Sequence, residues 1–110
     1  MMEQVKELTQ FYAAIREDSR IGTTHISLYM AIFQLYNING FMNPVRANRA
    51  LLMEMAKISG LATFHKCIKD LHEFGYVQYV ASHNHRVMSK VYLLLKSREE
   101  MVHGKIEKSP

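Results

Sequence analysis

The clearest pattern of apolar and polar positions lies between Ile58 and Val77. Its apolar residues recur at spacings of three and four: Leu61, Phe64, Ile68 and Leu71. This periodicity predicts a helix with one buried face. The opposite face is polar and locally basic, so it is predicted to be solvated. The rest of the chain is interpreted as support for this segment.

The end of this helix and the strands after it are marked by local signals. Gly75 is predicted to end the helix, because a glycine just past the last turn can adopt the left-handed conformation. Two β-rich runs follow, Tyr76–Ala81 and Ser89–Leu95, and they predict a pair of strands. The loop between them is polar until Val87, as expected of an exposed hairpin connection.

The chain opens with a predicted helix over Met2–Asp18. Its apolar residues have heptad spacing: Val5, Leu8, Tyr12 and Ile15. Two heptads are too few for an autonomous coiled coil, so this helix must pack on something. Two alternatives stay open, packing on its own domain or building a twofold dimer. We predict the second alternative, a homodimer formed through residues 2–36.

A second helix is predicted from His25 to Asn37, with Thr23 or Thr24 as its N-cap. It is apolar almost all round, which predicts burial on more than one side and makes it the central helix of the core. Asn39–Gly40 is expected to end this helix. Phe41–Met42 is then predicted as a short extended piece that pairs with the hairpin.

Asn43–Pro44 predicts the start of a third helix, because Asn caps well and Pro loses no needed hydrogen bond at the first helical position. Its inward residues are predicted to be Val45, Leu52, Met55 and Ala56. Three polar side chains are predicted near its N-terminal end: Arg46, Asn48 and Arg49. The third helix would then lead through a turn into the amphipathic helix.

This order of elements resembles the winged helix-turn-helix domain of bacterial transcriptional regulators of the gluconate-repressor and multiple-resistance-repressor kinds. Leu52 matches the buried leucine of the motif, and Ile58 matches the apolar residue after the turn. Ser59 matches the polar residue that opens the recognition helix. The resemblance covers residues 51–77 and extends through the wing to residue 95.

Two positions depart from that family pattern. Lys57 occupies the turn position that is often glycine, and Met53 occupies the position of the usual small alanine. The expectation is a turn of different shape, in which Gly60 absorbs the tight geometry.

The resemblance implies a mostly α fold with a small β-hairpin wing, that is, a three-helix core plus wing with an extra N-terminal helix. It implies one domain over 1–110, with an N-terminal helix at 1–18, the winged-helix core at 24–95 and a charged tail at 96–110. It also implies sequence-specific binding of double-stranded DNA by a transcriptional regulator. The implied DNA-binding residues are Arg46, Asn48, Arg49, Ser59, Ala62, Thr63, His65, Lys66, Lys69, His83, Asn84, His85, Arg86 and Lys90.

The net positive charge of the chain is concentrated in the segment that resembles the winged helix-turn-helix domain. The chain of 110 residues has a formal net charge of +4. Residues 41–95 hold seven Lys or Arg against three Asp or Glu, whereas residues 1–40 hold three against four. The positive field therefore lies on the segment that is predicted to meet DNA.

The same sequence predicts no internal disulfide, no signal peptide and no membrane-spanning segment. The single Cys67 rules out an internal disulfide. No signal peptide is predicted, and the richest apolar run, Ile26–Tyr36, is too short to span a bilayer. A cytoplasmic protein with no membrane partner is therefore predicted. The sequence identifies neither an operator nor an effector.

No catalytic or metal-binding pattern is predicted either. His65 and Cys67 point to different faces of a helix, and the pair His83 and His85 supplies two ligands where a structural zinc needs four. Cys67 lies at the edge of an apolar stripe, where a thiol is usually inert. The sequence therefore predicts no enzyme, no cofactor and no metal. Two alternative functions stay open, a replication or mobile-element accessory protein that binds DNA and a protein–protein adaptor that does not.

Overall fold

The computed structural model of the protein describes residues 2–84 and 87–94. Residues up to Ile21 belong to one compact unit, and Gly22–Leu94 forms another. Within the described ranges the protein is mostly helical, with four helices and a small three-stranded antiparallel sheet. The predicted fold is confirmed at this coarse level. No helix in those ranges is both long enough and apolar enough to cross a membrane.

The first unit contains helix α1, Met2–Arg16. Of its predicted apolar stripe, Val5 is 57% exposed and Tyr12 44% exposed in the single chain, whereas Phe11, outside the stripe, is buried. After α1 the side chain of Asp18 accepts hydrogen bonds from the backbone N–H and the guanidinium of Arg20, which closes a tight turn. The helix itself is confirmed.

The second unit holds the remaining elements. They are α2 (Thr23–Ile38), β1 (Val45–Ala47), α3 (Arg49–Ala56), α4 (Leu61–Glu73), β2 (Val77–Val80) and β3 (Ser89–Leu93). Helix α2 contacts α3, α4, β1 and β3, and its Leu28 and Ile32 are fully buried. The prediction that this apolar helix is the centre of the core is confirmed.

Helix α2 is capped by Gly22 rather than by Thr23 or Thr24. The Gly22 N–H donates to Nδ1 of His25 at 3.0 Å, so the third residue of the helix reaches back to the cap position. The helix therefore begins earlier than predicted. At its other end the Phe41 N–H bonds to the Tyr36 carbonyl, with Gly40 at a φ of +69°. This is the glycine-based helix ending that the sequence predicts near Asn39–Gly40.

The prediction that Phe41–Met42 pairs with the hairpin is wrong. Phe41 has a φ of +61° and completes the end of α2, where its ring lies edge-on to Tyr36 at 5.8 Å. The strand that pairs with the hairpin is β1, a few residues later, at Val45–Ala47.

The prediction that a helix begins at Asn43–Pro44 is also wrong. The side-chain amide of Asn43 donates to the Leu93 carbonyl at 3.0 Å and accepts from the Leu93 N–H at 2.9 Å. Asn43 thus imitates a strand partner for β3 and is not a helix cap. The cap of α3 is Asn48, whose Oδ1 accepts from the Leu51 N–H at 2.8 Å. Arg46 consequently lies on a strand.

The sheet has the order β1-β3-β2, and both pairings are antiparallel. The predicted pair of strands is confirmed with shorter bounds; residue 95 lies outside the described residues. One face of the sheet packs against α2 and α4 and contains the buried Val45, Val91 and Leu93. The strand edge of β2 is covered at one point, because the Tyr79 N–H donates to Nδ1 of His72 at 2.9 Å.

The turn between α3 and α4 does not take the predicted shape. Lys57 itself adopts the left-handed conformation, with φ 61° and ψ 39°, while Gly60 has an ordinary φ of −90°. The Ile58 N–H bonds to the Met53 carbonyl at 2.9 Å, which closes α3 in the manner usual for a glycine. The expectation that Gly60 absorbs the tight geometry is therefore wrong.

Replacing Lys57 by Gly is expected to stabilise the fold by about 1 kcal/mol, because a left-handed residue with a Cβ is strained. Lys57→Ala is the matched control, since it removes the same charge and keeps the Cβ. Urea unfolding of the three proteins checks this. An equal gain from both substitutions would mean that charge, and not backbone strain, is the cause.

Candidate nucleic-acid interface

Helix α4 packs through an apolar stripe that begins one turn later than predicted. Phe64, Ile68 and Leu71 are buried as expected, and Cys67 is buried beside them. Leu61 is 47% exposed, so its prediction as a core residue is wrong. Leu61 is the first residue of the helix, where side chains lean toward the helix start and away from the following turns.

The C-terminal end of α4 is confirmed at the predicted glycine. Gly75 has a φ of +88°, its N–H bonds to the His72 carbonyl, and the Tyr76 N–H bonds to the Leu71 carbonyl at 2.9 Å. This double closure is the glycine ending in which the chain leaves a helix directly into an extended segment. Strand β2 therefore begins directly after the end of α4.

The outward face of α4 carries the side chains that were expected there. The exposed candidates on this helix are Ala62, Thr63, His65, Lys66 and Lys69. The first turn contains no acidic residue. The N-terminal half of this face is therefore small, polar and able both to donate and to accept hydrogen bonds, through the Thr63 hydroxyl and the His65 ring.

The C-terminal half of the same face is less positive than the count of lysines suggests. Lys66 Nζ lies 2.9 Å from Asp70 Oδ2, and Lys69 Nζ lies 3.9 Å from Glu73 Oε1. The hydrogen bond to Asp70 raises the pKa of Lys66. Both lysines are more than 70% exposed, and exposed pairs of this kind are weak, so a phosphate can replace either carboxylate.

A histidine from α2 bonds to the C-terminal half of α4. His25 Nδ1 accepts from the Gly22 N–H, so the ring proton lies on Nε2, which donates to Asp70 Oδ2 at 2.8 Å. The pKa of Asp70 is lowered, first by this hydrogen bond and then by the one from Lys66. His25 and Asp70 are 45 residues apart, and no local sequence signal connects them.

Three other candidates lie before α4. Arg49 is exposed in the first turn of α3, and Asn48 precedes it with its side-chain oxygen engaged as the helix cap. Ser59 is exposed in the connection between α3 and α4. It does not open α4 as predicted, because the cap position of α4 belongs to Gly60.

The loop between β2 and β3 is held by its own backbone and by serine side chains. Ser82 Oγ donates to the Asn84 carbonyl at 2.9 Å, and Ser89 Oγ accepts from the Ser82 N–H at 3.0 Å. His83 and Asn84 are exposed, as predicted. Of the other candidates in this loop, His85 and Arg86 lie outside the described residues.

Two of the predicted DNA-binding residues lie on the sheet, apart from the others. Arg46 on β1 and Lys90 on β3 face each other in register and are exposed on the face of the sheet opposite α2 and α4. The sequence placed Arg46 beside Asn48 and Arg49 on a helix. The structure instead brings it together with Lys90.

Three observations concern catalytic and metal chemistry in the described part of the chain. It contains no group of three or more His, Cys, Asp or Glu residues that could hold a metal ion. Burial raises the pKa of the Cys67 thiol, which lowers its reactivity. A cavity of about 230 Å³ between the end of α2 and β1 is lined by Leu35, Ile38, Asn39, Pro44, Val45 and Arg46, a set with no pair of acid and base.

Comparisons of the chain with models of known protein families, with curated proteins and with solved structures find no match.

Proposed function

We propose that Gly22–Leu94 is a winged helix-turn-helix domain that binds double-stranded DNA sequence-specifically, and that the protein is a transcriptional regulator. The order helix, strand, helix, helix, hairpin supports this proposal, with β1 paired to the second strand of the hairpin. In such a domain α4 is the recognition helix and the β2–β3 loop is the wing.

The observation that carries the proposal is the outward face of α4. The helix follows α3 through a short turn, is anchored by buried Phe64 and Leu71, and leads directly into the hairpin. Its N-terminal half, where recognition helices contact base edges, is exposed and has no acidic side chain in the first turn. These features match a helix that enters the major groove.

The residues of this face divide by chemistry. Thr63 and His65 can donate to or accept from base edges, and Ala62 allows close approach to a thymine methyl. Leu61, exposed at the helix start, offers a second apolar contact of that kind. Lys69 and Arg49 are suited to phosphates, as are the polar side chains of the wing.

A homodimer formed through residues 2–36 is part of the proposal. Val5 and Tyr12, which are both exposed on α1, give that helix apolar surface for a second copy. A twofold dimer would present two copies of α4 to half-sites about one helical turn apart. Duplexes selected from a random pool should then contain inverted half-sites at that spacing.

Binding to the selected duplex is expected to depend steeply on salt, with a log–log slope of about −3.6 per subunit if about four phosphates are neutralised. Thr63→Val replaces the hydroxyl by a methyl group of similar size and should cost ~1–3 kcal/mol on the preferred duplex and little on a scrambled one. Lys69→Ala should weaken both duplexes equally and reduce the slope by about one. Fluorescence anisotropy across a salt series measures all three effects.

Thr23→Val is the matched control, because it makes the same change at an exposed position of α2 that does not cap the helix. Since Thr23 lies within residues 2–36, sedimentation of this variant checks that its oligomeric state is unchanged. Binding that is absent at low salt, or insensitive to salt, would reject the proposal and leave the adaptor as the better function. An equal loss from Thr63→Val on both duplexes would reject α4 as the element that discriminates sequence.

A further inference from the structure

The sheet face opposite α2 and α4 carries two cations in direct opposition. Arg46 on β1 and Lys90 on β3 are paired in register, and both are exposed. Within the described ranges neither side chain forms an ion pair. Like charges directly opposite each other on neighbouring strands destabilise a sheet. The arrangement therefore costs stability in the free protein.

Within Gly22–Leu94 no acidic residue is close in sequence to either cation. The second unit contains three acidic residues, Glu54, Asp70 and Glu73, and all of them are on α3 or α4. No strand contains an acid, and neither does the hairpin loop. A negatively charged partner would remove the repulsion between Arg46 and Lys90.

The next row of the same face has different chemistry. Tyr92 on β3 and Gln78 on β2 face each other in register, two residues along from Lys90, which is about 7 Å along a strand. Gln78 is exposed and Tyr92 is half-buried. The ring offers a surface for stacking and the amide can donate and accept hydrogen bonds, at a separation that a nucleotide spans between its phosphate and its base.

We propose that this cationic sheet face, defined by Arg46, Lys90, Tyr92 and Gln78, binds single-stranded nucleic acid. The cations hold successive phosphates and the tyrosine ring stacks with an unpaired base, which is the combination used by proteins that bind single strands. A duplex would offer phosphates but no free base to Tyr92. An acidic protein segment would match the charge of the two cations but would provide no base to stack on the Tyr92 ring or to bond to the Gln78 amide.

This surface is separate from the proposed duplex interface. Helices α2 and α4 pack against the other face of the sheet, so the residues of the cationic sheet face do not share a surface with the outward side of α4. The inference goes beyond duplex recognition and does not depend on it. A protein with both surfaces would be suited to a junction between duplex and single strand.

The test uses the full-length protein and labelled oligo-dT and oligo-U 20-mers, with a duplex of equal length for comparison. Lys90→Glu places an acid opposite Arg46, so affinity for the single strands should fall about tenfold while Tm stays equal or rises. Lys69→Glu on α4 is the matched control, because it changes the net charge by the same amount; it should weaken duplex binding more than single-strand binding. Tyr92→Leu should lower single-strand affinity about tenfold, and Tyr92→Phe should retain it.

Several outcomes would overturn the proposal. They are no binding of single strands by the unaltered protein, equal losses from Lys90→Glu and Lys69→Glu on the single strands, and no loss from Tyr92→Leu. Competition by poly-glutamate as effective as by unlabelled oligo-dT would assign the face to an acidic protein instead. Lys90→Gln replaces Lys90→Glu if the latter fails to fold. Failure of duplex binding alone leaves the single-strand measurements on the unaltered protein, Lys90→Glu and Tyr92→Leu unaffected.

Discussion

Replacing Phe64 by Ala is expected to destabilise the protein by about 3–5 kcal/mol, a large part of the roughly 5–15 kcal/mol by which an ordinary domain is stable. Phe64 is fully buried at the start of the apolar stripe of α4. Its ring fills space that an alanine would leave as a cavity, and the neighbouring side chains can relax only partly into it. Loss of this contact would also free α4, on which the proposed DNA interface is built.

Leu61→Ala on the same helix is the matched control. Leu61 is one turn before Phe64 and is 47% exposed, so its truncation should cost less than about 1 kcal/mol. Urea unfolding monitored by circular dichroism measures both values. If the two substitutions destabilise the protein equally, the periodicity of the sequence, and not the orientation of α4 described above, gives the correct inner face.

The elements that the sequence predicted correctly are those with local causes. Helix α4 has a repeating apolar stripe, and its end at Gly75 depends on one residue that adopts a positive φ. The strands after it need only β-rich composition and a polar loop between them. These signals lie within a few residues of the structure that they specify, so no knowledge of distant contacts is needed.

The segment from Phe41 to Asn48 was mispredicted because its structure depends on distant partners. Asn43–Pro44 and Asn48 are both acceptable helix starts by local rules. Asn43 does not cap a helix, because its amide bonds to Leu93, which is 50 residues away. Strand β1 forms because β3 pairs with it. A three-residue strand has too little periodicity to be recognised without that partner.

In the candidate site, too, the features with local causes could be predicted from the sequence and those that depend on distant contacts could not. Exposure of Thr63, His65 and Lys69 followed from helical periodicity. The pairing of Lys66 with Asp70 was available from their spacing of four residues, but the bond from His25 was not. The grouping of Arg46 with Lys90 required the register between β1 and β3, which a single sequence does not specify.

Replacing Asp70 by Ala is the second substitution for which we expect a large effect, a loss of about 1–3 kcal/mol at neutral pH. The carboxylate accepts from His25 Nε2, and the side chains of His25 and Asp70 are only 12% and 15% exposed. Removing the acceptor leaves a largely buried donor unsatisfied, and that penalty exceeds the value of the bond itself. Lys66→Ala is the control, because it removes only the exposed partner of Asp70 and should cost less than about 1 kcal/mol.

The effect of Asp70→Ala should also depend on pH. The hydrogen bonds from His25 and then Lys66 hold the pKa of Asp70 below its ordinary value of 3.8. Because the folded protein binds this proton more weakly than the unfolded chain, the contribution of Asp70 is complete above that ordinary pKa and is lost as the pH falls through the lower, folded value. The difference in unfolding free energy between the unaltered protein and Asp70→Ala should therefore shrink as the pH falls below 3.8. Urea titrations at a series of pH values measure this difference. A difference that does not change down to the acid limit of folding, or a cost of Lys66→Ala as large as that of Asp70→Ala, would mean that the bond between α2 and α4 does not stabilise the fold as argued.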